Sequence, residues 1–224
     1  MLPARSVRRV LALAASLCCA FAALAQPREE RGAAAGQFDF YVLALSWSAT
    51  WCEFTGERRG AEQCASGRNP GFVLHGLWPQ YDRGYPAFCG PEGRGAPRAA
   101  IERAERIFPS PGLARHQWRK HGTCSGESPS AYFGAAAEAR AKILVPPPLV
   151  APDNDRRWDV IEIERAFSAA NPGLRPDMMA VTCRRGQLEE VRICMTRDLR
   201  GFRPCPEVDR DSCRVIEITV PAAR

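Results

Sequence analysis

Lysine, histidine and long apolar runs are all scarce in this sequence. Of 224 residues only Lys120 and Lys142 are lysines, so arginine carries almost all the basic charge, which reads as a compositional bias and not a functional patch. One apolar run near the start, Val10 to Leu24, is followed by no second run, repeat or low-complexity tract, which excludes a multispanning membrane protein and a repeat architecture. The cysteines show no C-x-x-C spacing and no H-E-x-x-H pattern occurs, so the usual zinc signatures are missing. A formal charge of +6 is too small to imply a polyanionic partner by itself.

What is present begins with a leader. Arg5, Arg8 and Arg9 precede the apolar run, and Ala23 and Ala25 flank Leu24, the layout of a secretory signal peptide. The run is shorter than the about 20 residues a spanning helix needs. The expectation is a signal peptide over residues 1–25, a disordered lead-in over 26–37 (polar, small and without period), and one domain over 38–224. Losing three arginines with the leader lowers the charge from +6 to +3. Cys18 and Cys19 leave as well. The eight cysteines that remain, an even count behind a signal peptide, predict disulfides in an oxidising compartment. The arginine- and alanine-rich composition points to a bacterium, hence the periplasm or the medium.

Phe38 to Trp47 and Gly71 to Trp78 are dense in aromatic and β-branched residues and predict buried strands, with His75 near the end of the second. Ala99 to Phe108 predicts a helix stopped by Pro109. Ser110-Pro111 then supplies an N-cap and a first-turn proline for a helix running to His121, with Gly122 as its C-cap. Ser128-Pro129 repeats the start signal for a helix over Ser130 to Leu144, and a further helix is predicted from Val160 to Ala170. Met178 to Cys183 and Leu188 to Met195 read as a hairpin turning around Gly186, and Val215 to Val220 as another strand. Strands and helices without β-α-β order give the α+β class, a mainly antiparallel sheet flanked by helices.

All three histidines fall in two short segments, Phe72 to Gln80 (FVLHGLWPQ) and Arg115 to Cys124 (RHQWRKHGTC). On a helix His116 and Lys120 are four apart and share a face, and Gln117 and His121 form a second such pair one position on. His116 and His121, five apart, lie about 140° apart around the helix, a poor zinc pair. Imidazoles titrate near neutrality and can give or take protons, while a lysine supplies a fixed cation. RNA cleavage through its own 2′-hydroxyl needs that set: a base, an acid and positive charge around the transition state, with no metal.

At these residues the sequence resembles the ribonuclease T2 family of secreted, base-non-specific acid endoribonucleases. The segments that carry the likeness are His75-Gly76-Leu77-Trp78-Pro79 and His116-Gln117-Trp118-Arg119-Lys120-His121-Gly122-Thr123-Cys124, and it extends from about Phe38 to Cys213, including FYVLALSWS and LEEVRIC. The resemblance implies His121 as general base, His75 as general acid, His116 holding the phosphate, Lys120 stabilising transition-state charge and Trp78 stacking on a base. It implies RNA as substrate, no cofactor or metal, a monomer free of the membrane once the leader is removed, and products with 2′,3′-cyclic and then 3′-phosphate ends. It further implies the disulfides Cys52–Cys64, Cys89–Cys124, Cys183–Cys213 and Cys194–Cys205. The departure is Gln117, where the family usually has glutamate, so activity is expected to be lowered or shifted in pH. Two rival readings are an RNA-binding or signalling protein that has lost catalysis, supported only by Gln117, and a different phosphodiesterase.

Overall fold

A computed structural model describes residues 28–68, 70–90 and 95–223; the expected signal peptide, with Cys18 and Cys19, lies outside the described residues. Among them the strands are β1 (Glu29–Arg31), β2 (Phe40–Trp47), β3 (Phe72–Gln80), β4 (Tyr85–Ala87), β5 (Arg156–Asp159), β6 (Met179–Arg184), β7 (Gln187–Thr196) and β8 (Glu217–Val220). The helices are α1 (Ser48–Trp51), α2 (Arg98–Ala104), α3 (Pro111–Lys120), α4 (Pro129–Lys142), α5 (Val160–Ala170) and α6 (Pro206–Asp209). Six strands form one sheet in the order β3-β2-β7-β8-β5, with β6 also paired to β7. Its ladders are antiparallel apart from the single parallel pair Gln187–Thr219 between β7 and β8. This is the α+β, mainly antiparallel architecture that the sequence predicts.

Alternation along β2 explains the layering. Tyr41, Leu43, Leu45 and Trp47 enter the main core, where α2 to α5 bring Ile101, Trp118, Tyr132, Phe133, Ile163 and Phe167. Phe40 and Val42 face the other way into a smaller cluster with Cys194, Cys205 and Val208. Burying each large side chain contributes about 1.5–3 kcal/mol, so the helix-covered face holds the fold together and the opposite face is left for a cleft. The Ser-Pro starts act as expected: Ser110 Oγ accepts from the Leu113 N–H at 3.1 Å and Ser128 Oγ from the Ala131 N–H at 3.3 Å. The β6–β7 hairpin turns on Arg185 and Gly186, both left-handed at φ 52° and 79°, as a two-residue primed turn requires. Among the described residues four disulfides join Cys52 to Cys64, Cys89 to Cys124, Cys183 to Cys213 and Cys194 to Cys205, the pairing implied by the resemblance.

Two register breaks aim the side chains that matter. In the β2–β3 ladder Ala44 pairs with Gly76 and Leu45 with Leu74, so His75 is an extra, bulged residue. Leu74 and Leu77 therefore both reach the core although three apart, while His75 and Trp78 both reach the opposite face. In the β6–β7 ladder Thr182 pairs with Glu190 and Cys183 with Leu188, which leaves Glu189 unpaired and puts Glu190 on the same face as His75.

Four expectations change. Residues 28–37, expected to be disordered, carry β1, which pairs in parallel with β4. The buried Ala33 packs on the Cys89–Cys124 disulfide, and Arg197 donates to the carbonyls of Gly36 and Phe38, so distant partners and not local periodicity order this segment. His75 lies in the middle of β3, not near its end. The helix expected to reach Phe108 stops at Ala104. Gly122 is not a left-handed cap: His121 caps α3 and a 3-10 turn, Gly122–Cys124, follows. A Cβ at Gly122 would press into Trp118 and Tyr132, so the glycine is there for close approach.

Candidate active site

The cleft lies where the uncovered sheet face meets α3. Its lining includes His75 and Trp78 from β3, His116, Gln117 and Lys120 from α3, the cap residue His121, and Arg192 from β7, around about 330 Å³. A second hollow of about 690 Å³ adjoins it, shares His75 and His116, and is lined further by Ser46, Thr50, Trp51, Glu189 and Glu190. Beneath it the sheet pairs Ala44 of β2 with Gly76 on β3 and with Arg192 on β7.

Trp78 organises the centre. Its ring stacks on His121, centroids 5.3 Å apart at 25°, and meets His75 edge-on at 5.3 Å and 84°. The Arg192 guanidinium lies 5.5 Å from the same ring. The indole N–H donates to Gln117 Oε1 at 2.9 Å, and Gln117 is only 1% exposed. A Cβ on Gly76 would collide with the Gln117 amide and the indole nitrogen, so the glycine of the first motif makes room for this contact.

The three histidines have different surroundings. His75 is about one third exposed (34%), and its Nδ1 faces Glu190 Oε1 in a hydrogen bond and ion-pair geometry. Glu190 also accepts from Ser46 Oγ at 3.0 Å and from Arg192 Nε at 2.9 Å, and Arg192 reaches on to Asp211 at 3.1 Å. Burial would raise the Glu190 carboxyl, but His75 and Arg192 together outweigh it and bring it down to about 2. His121 is 6% exposed, and its Nδ1 is buried with no hydrogen-bond partner among the described residues. Burial, then Lys120, His75 and His116, hold His121 well below the usual imidazole range. Burial, Lys120, Arg119 and His75 lower His116 in the same direction.

Lys120 Nζ lies 3.4 Å from Glu29 on β1 and 5.5 Å from the centre of the Tyr85 ring. The Tyr85 hydroxyl donates to Glu29 at 3.1 Å. Burial acts to raise the Glu29 carboxyl, but Tyr85, Lys120 and Arg31 prevail and lower it.

The structure thus gathers every site residue expected from the sequence: His75, Trp78, His116, Gln117, Lys120 and His121 all line one cleft. Two placements differ from a simple helical face. His121 sits at the cap, φ −119°, and not within α3, and Gln117 is turned inward under Trp78. Sequence reasoning missed Glu190, Arg192, Tyr85 and Glu29. Glu190 and Arg192 left one usable signal, charged residues inside an apolar central strand. Glu29 and Tyr85 left none.

Residues 38–205 match the model of the Ribonuclease T2 family. A ribonuclease of Aeromonas hydrophila is 49% identical over 108 residues, 48% of this chain and 47% of that relative. The chain thus spans about half the length of that relative. Ribonuclease DdI of Dictyostelium discoideum is 24% identical over 198 residues, covering 80% of this chain and 82% of that one. The crystal structure of RNase NT in complex with 5′-AMP superposes with a TM-score of 0.67 at 26% identity, over 83% of this chain and 99% of that one.

Proposed function

The chain belongs to the ribonuclease T2 family, and from that premise we propose that it is an endoribonuclease cleaving single-stranded RNA with low base preference, His121 acting as general base and His75 as general acid. The observation that carries the assignment is the contrast between the two rings: His121 is buried among cations and kept neutral, while His75 faces a carboxylate. A buried imidazole kept neutral to take a proton, and a second one backed by a carboxylate, are what acid–base catalysis on one substrate needs.

His121 takes the proton of the 2′-hydroxyl, O2′ forms a bond to phosphorus, the P–O5′ bond breaks, and the proton on His75 goes to the departing O5′. The products are a 2′,3′-cyclic phosphate and a free 5′-hydroxyl. In a slower second step water gives a proton to His75 and its oxygen to phosphorus, the P–O2′ bond breaks, and His121 returns a proton to O2′, leaving a 3′-phosphate. Lys120 and His116 supply positive charge and hydrogen bonds to the phosphate as it becomes phosphorane-like. The chemistry requires no metal or organic cofactor. A phosphate at the junction of the two hollows would direct one nucleoside into each. A base stacking at Trp78 would share that ring with His121.

Gln117 acts by holding Trp78, and through it the angle of His121. We further propose that residues 1–25 direct secretion and that the protein works as a monomer in the periplasm or medium. The leader's composition and the oxidised cysteines support the destination, and no helix among the described residues is long and apolar enough to cross a membrane. The test is incubation with RNA in excess chelator, followed by analysis of the new ends. Cyclic-phosphate ends, lost in His75→Ala and His121→Ala, are expected. Absence of cleavage from acid to neutral pH, or dependence on added metal, would overturn the reading.

A further inference from the structure

A buried carboxylate that the acid–base scheme does not itself use sits behind the proposed acid. Glu190 is 5% exposed in a central strand, where an unpaired charge would be strongly unfavourable. It is instead fully engaged: Oε1 faces His75 Nδ1 and accepts from Ser46 Oγ, and Oε2 accepts from Arg192, which Asp211 holds from its other side. The β7 bulge at Glu189 and the β3 bulge at His75 together bring these two side chains to one face of the sheet.

We propose that Glu190 is the positioning residue for His75: by accepting the Nδ1 proton it leaves Nε2 as the ring nitrogen facing the cleft and gives the proton-bearing ring a counter-charge. The inference rests on the reading of His75 as the acid. Nδ1 is occupied by the carboxylate, and His75 lines both hollows, so Nε2 is the nitrogen available to the leaving oxygen. A carboxylate that fixes an imidazole's tautomer and orientation in this way acts through the histidine and not on substrate. Around the His75 ring the other charged or titrating groups are Glu189 and Arg192 from β7, His116 from α3, and His121 at its cap. Among the described residues, Glu190 and none of these has a hydrogen bond to the ring. Ser46 from β2 and Arg192 fix the carboxylate, so it cannot swing away when the ring loses its proton.

The experiment compares two substrates in Glu190→Gln. A dinucleoside monophosphate loses a 5′-alkoxide, which needs a proton from His75; a nucleoside 3′-(4-nitrophenyl phosphate) loses a phenolate, which does not. The expected result is a loss of about 10- to 100-fold in kcat on the first with KM little changed, and a loss under about threefold on the second. Glu190→Asp, which keeps the charge, is expected to recover part of the loss. Equal losses on both substrates would mean that Glu190 serves the fold alone and would overturn the proposal. Nitrogen NMR of the unaltered protein gives a readout independent of any variant's folding. The neutral His75 ring should carry its proton on Nδ1, and a proton on Nε2 would overturn the proposal. If His75→Ala left dinucleotide cleavage intact, the acid assignment beneath the proposal would fall first, whatever the tautomer.

Discussion

The two ends of the cleft are built on opposite terms. At one end His75 stands on a β-bulge, 34% exposed, with a buried carboxylate against Nδ1. At the other, His121 ends a helix, 6% exposed, with Nδ1 unpartnered among the described residues and cations as its neighbours. The same side chain is therefore given a counter-charge for its protonated form in one place and denied one in the other. Trp78 spans the gap, touching both rings, and so fixes their separation. The proposed roles of acid and base thus rest on what lies behind each histidine, not on what it faces.

Removing either ring should have the largest effect and also separate the two ends. His121→Ala is expected to lower kcat about 10²- to 10⁴-fold on both an alkoxide- and a phenolate-leaving substrate, since each needs the 2′-hydroxyl deprotonated. His75→Ala should show a comparable loss only with the alkoxide. Equal patterns would erase the distinction between the ends.

Next is Lys120→Met. If Lys120 is the transition-state cation proposed above, its loss should lower kcat by about 10²-fold. Lys120 is also one cause of the lowered His121 value, so its removal lets that value rise. More of the base is then protonated at acid pH, and the acid limb of the pH–rate profile should move to higher pH. A limb that stayed in place would disconnect Lys120 from the His121 end.

Gly76→Ala strikes the shared centre. The added methyl meets Gln117 and the Trp78 indole, and overpacking of this kind destabilises by about 1–3 kcal/mol, to be read as a lowered Tm together with reduced activity.

Acid stability sharpens the comparison further. The Glu190 carboxyl lies at about 2 when folded against 4.5 for a free glutamate, so its contribution is complete above about 4.5 and is lost as pH falls toward about 2. His121, lowered from 6.5, takes a proton more readily when unfolded, so its burial weakens the fold as pH drops below about 6.5. Glu190→Gln should remove the lower part of that acid sensitivity, and His121→Ala the upper part, in melts followed from pH 7 to pH 2.

The smallest effect belongs to Glu29→Gln. Releasing Lys120 from its carboxylate should leave its charge less offset, lower His121 further, and move the acid limb slightly to lower pH, with kcat changed less than about threefold.

The face of the cleft was legible in the sequence and its backing was not. Two contiguous motifs supplied His75, Trp78, His116, Lys120 and His121, because one strand and one helix end carry them all. The helix starts at Ser110 and Ser128 and the hairpin at Arg185-Gly186 are local effects and were equally readable. Glu190 lies 115 positions from His75, and only the pairing of β2 with both β3 and β7 makes them neighbours. The bulges that aim them come from sheet register, which no local pattern encodes. β1 was unreadable for the same reason: residues 28–37 have no period of their own and are ordered by β4, a disulfide and Arg197.

The most direct test of the division between the ends is an NMR pH titration of the unaltered protein, which has only three histidine rings to assign. The account predicts that His121 titrates well below 6.5 and His116 also below it, with the His121 midpoint rising in Lys120→Met. A His121 ring that titrated at or above 6.5 would contradict it.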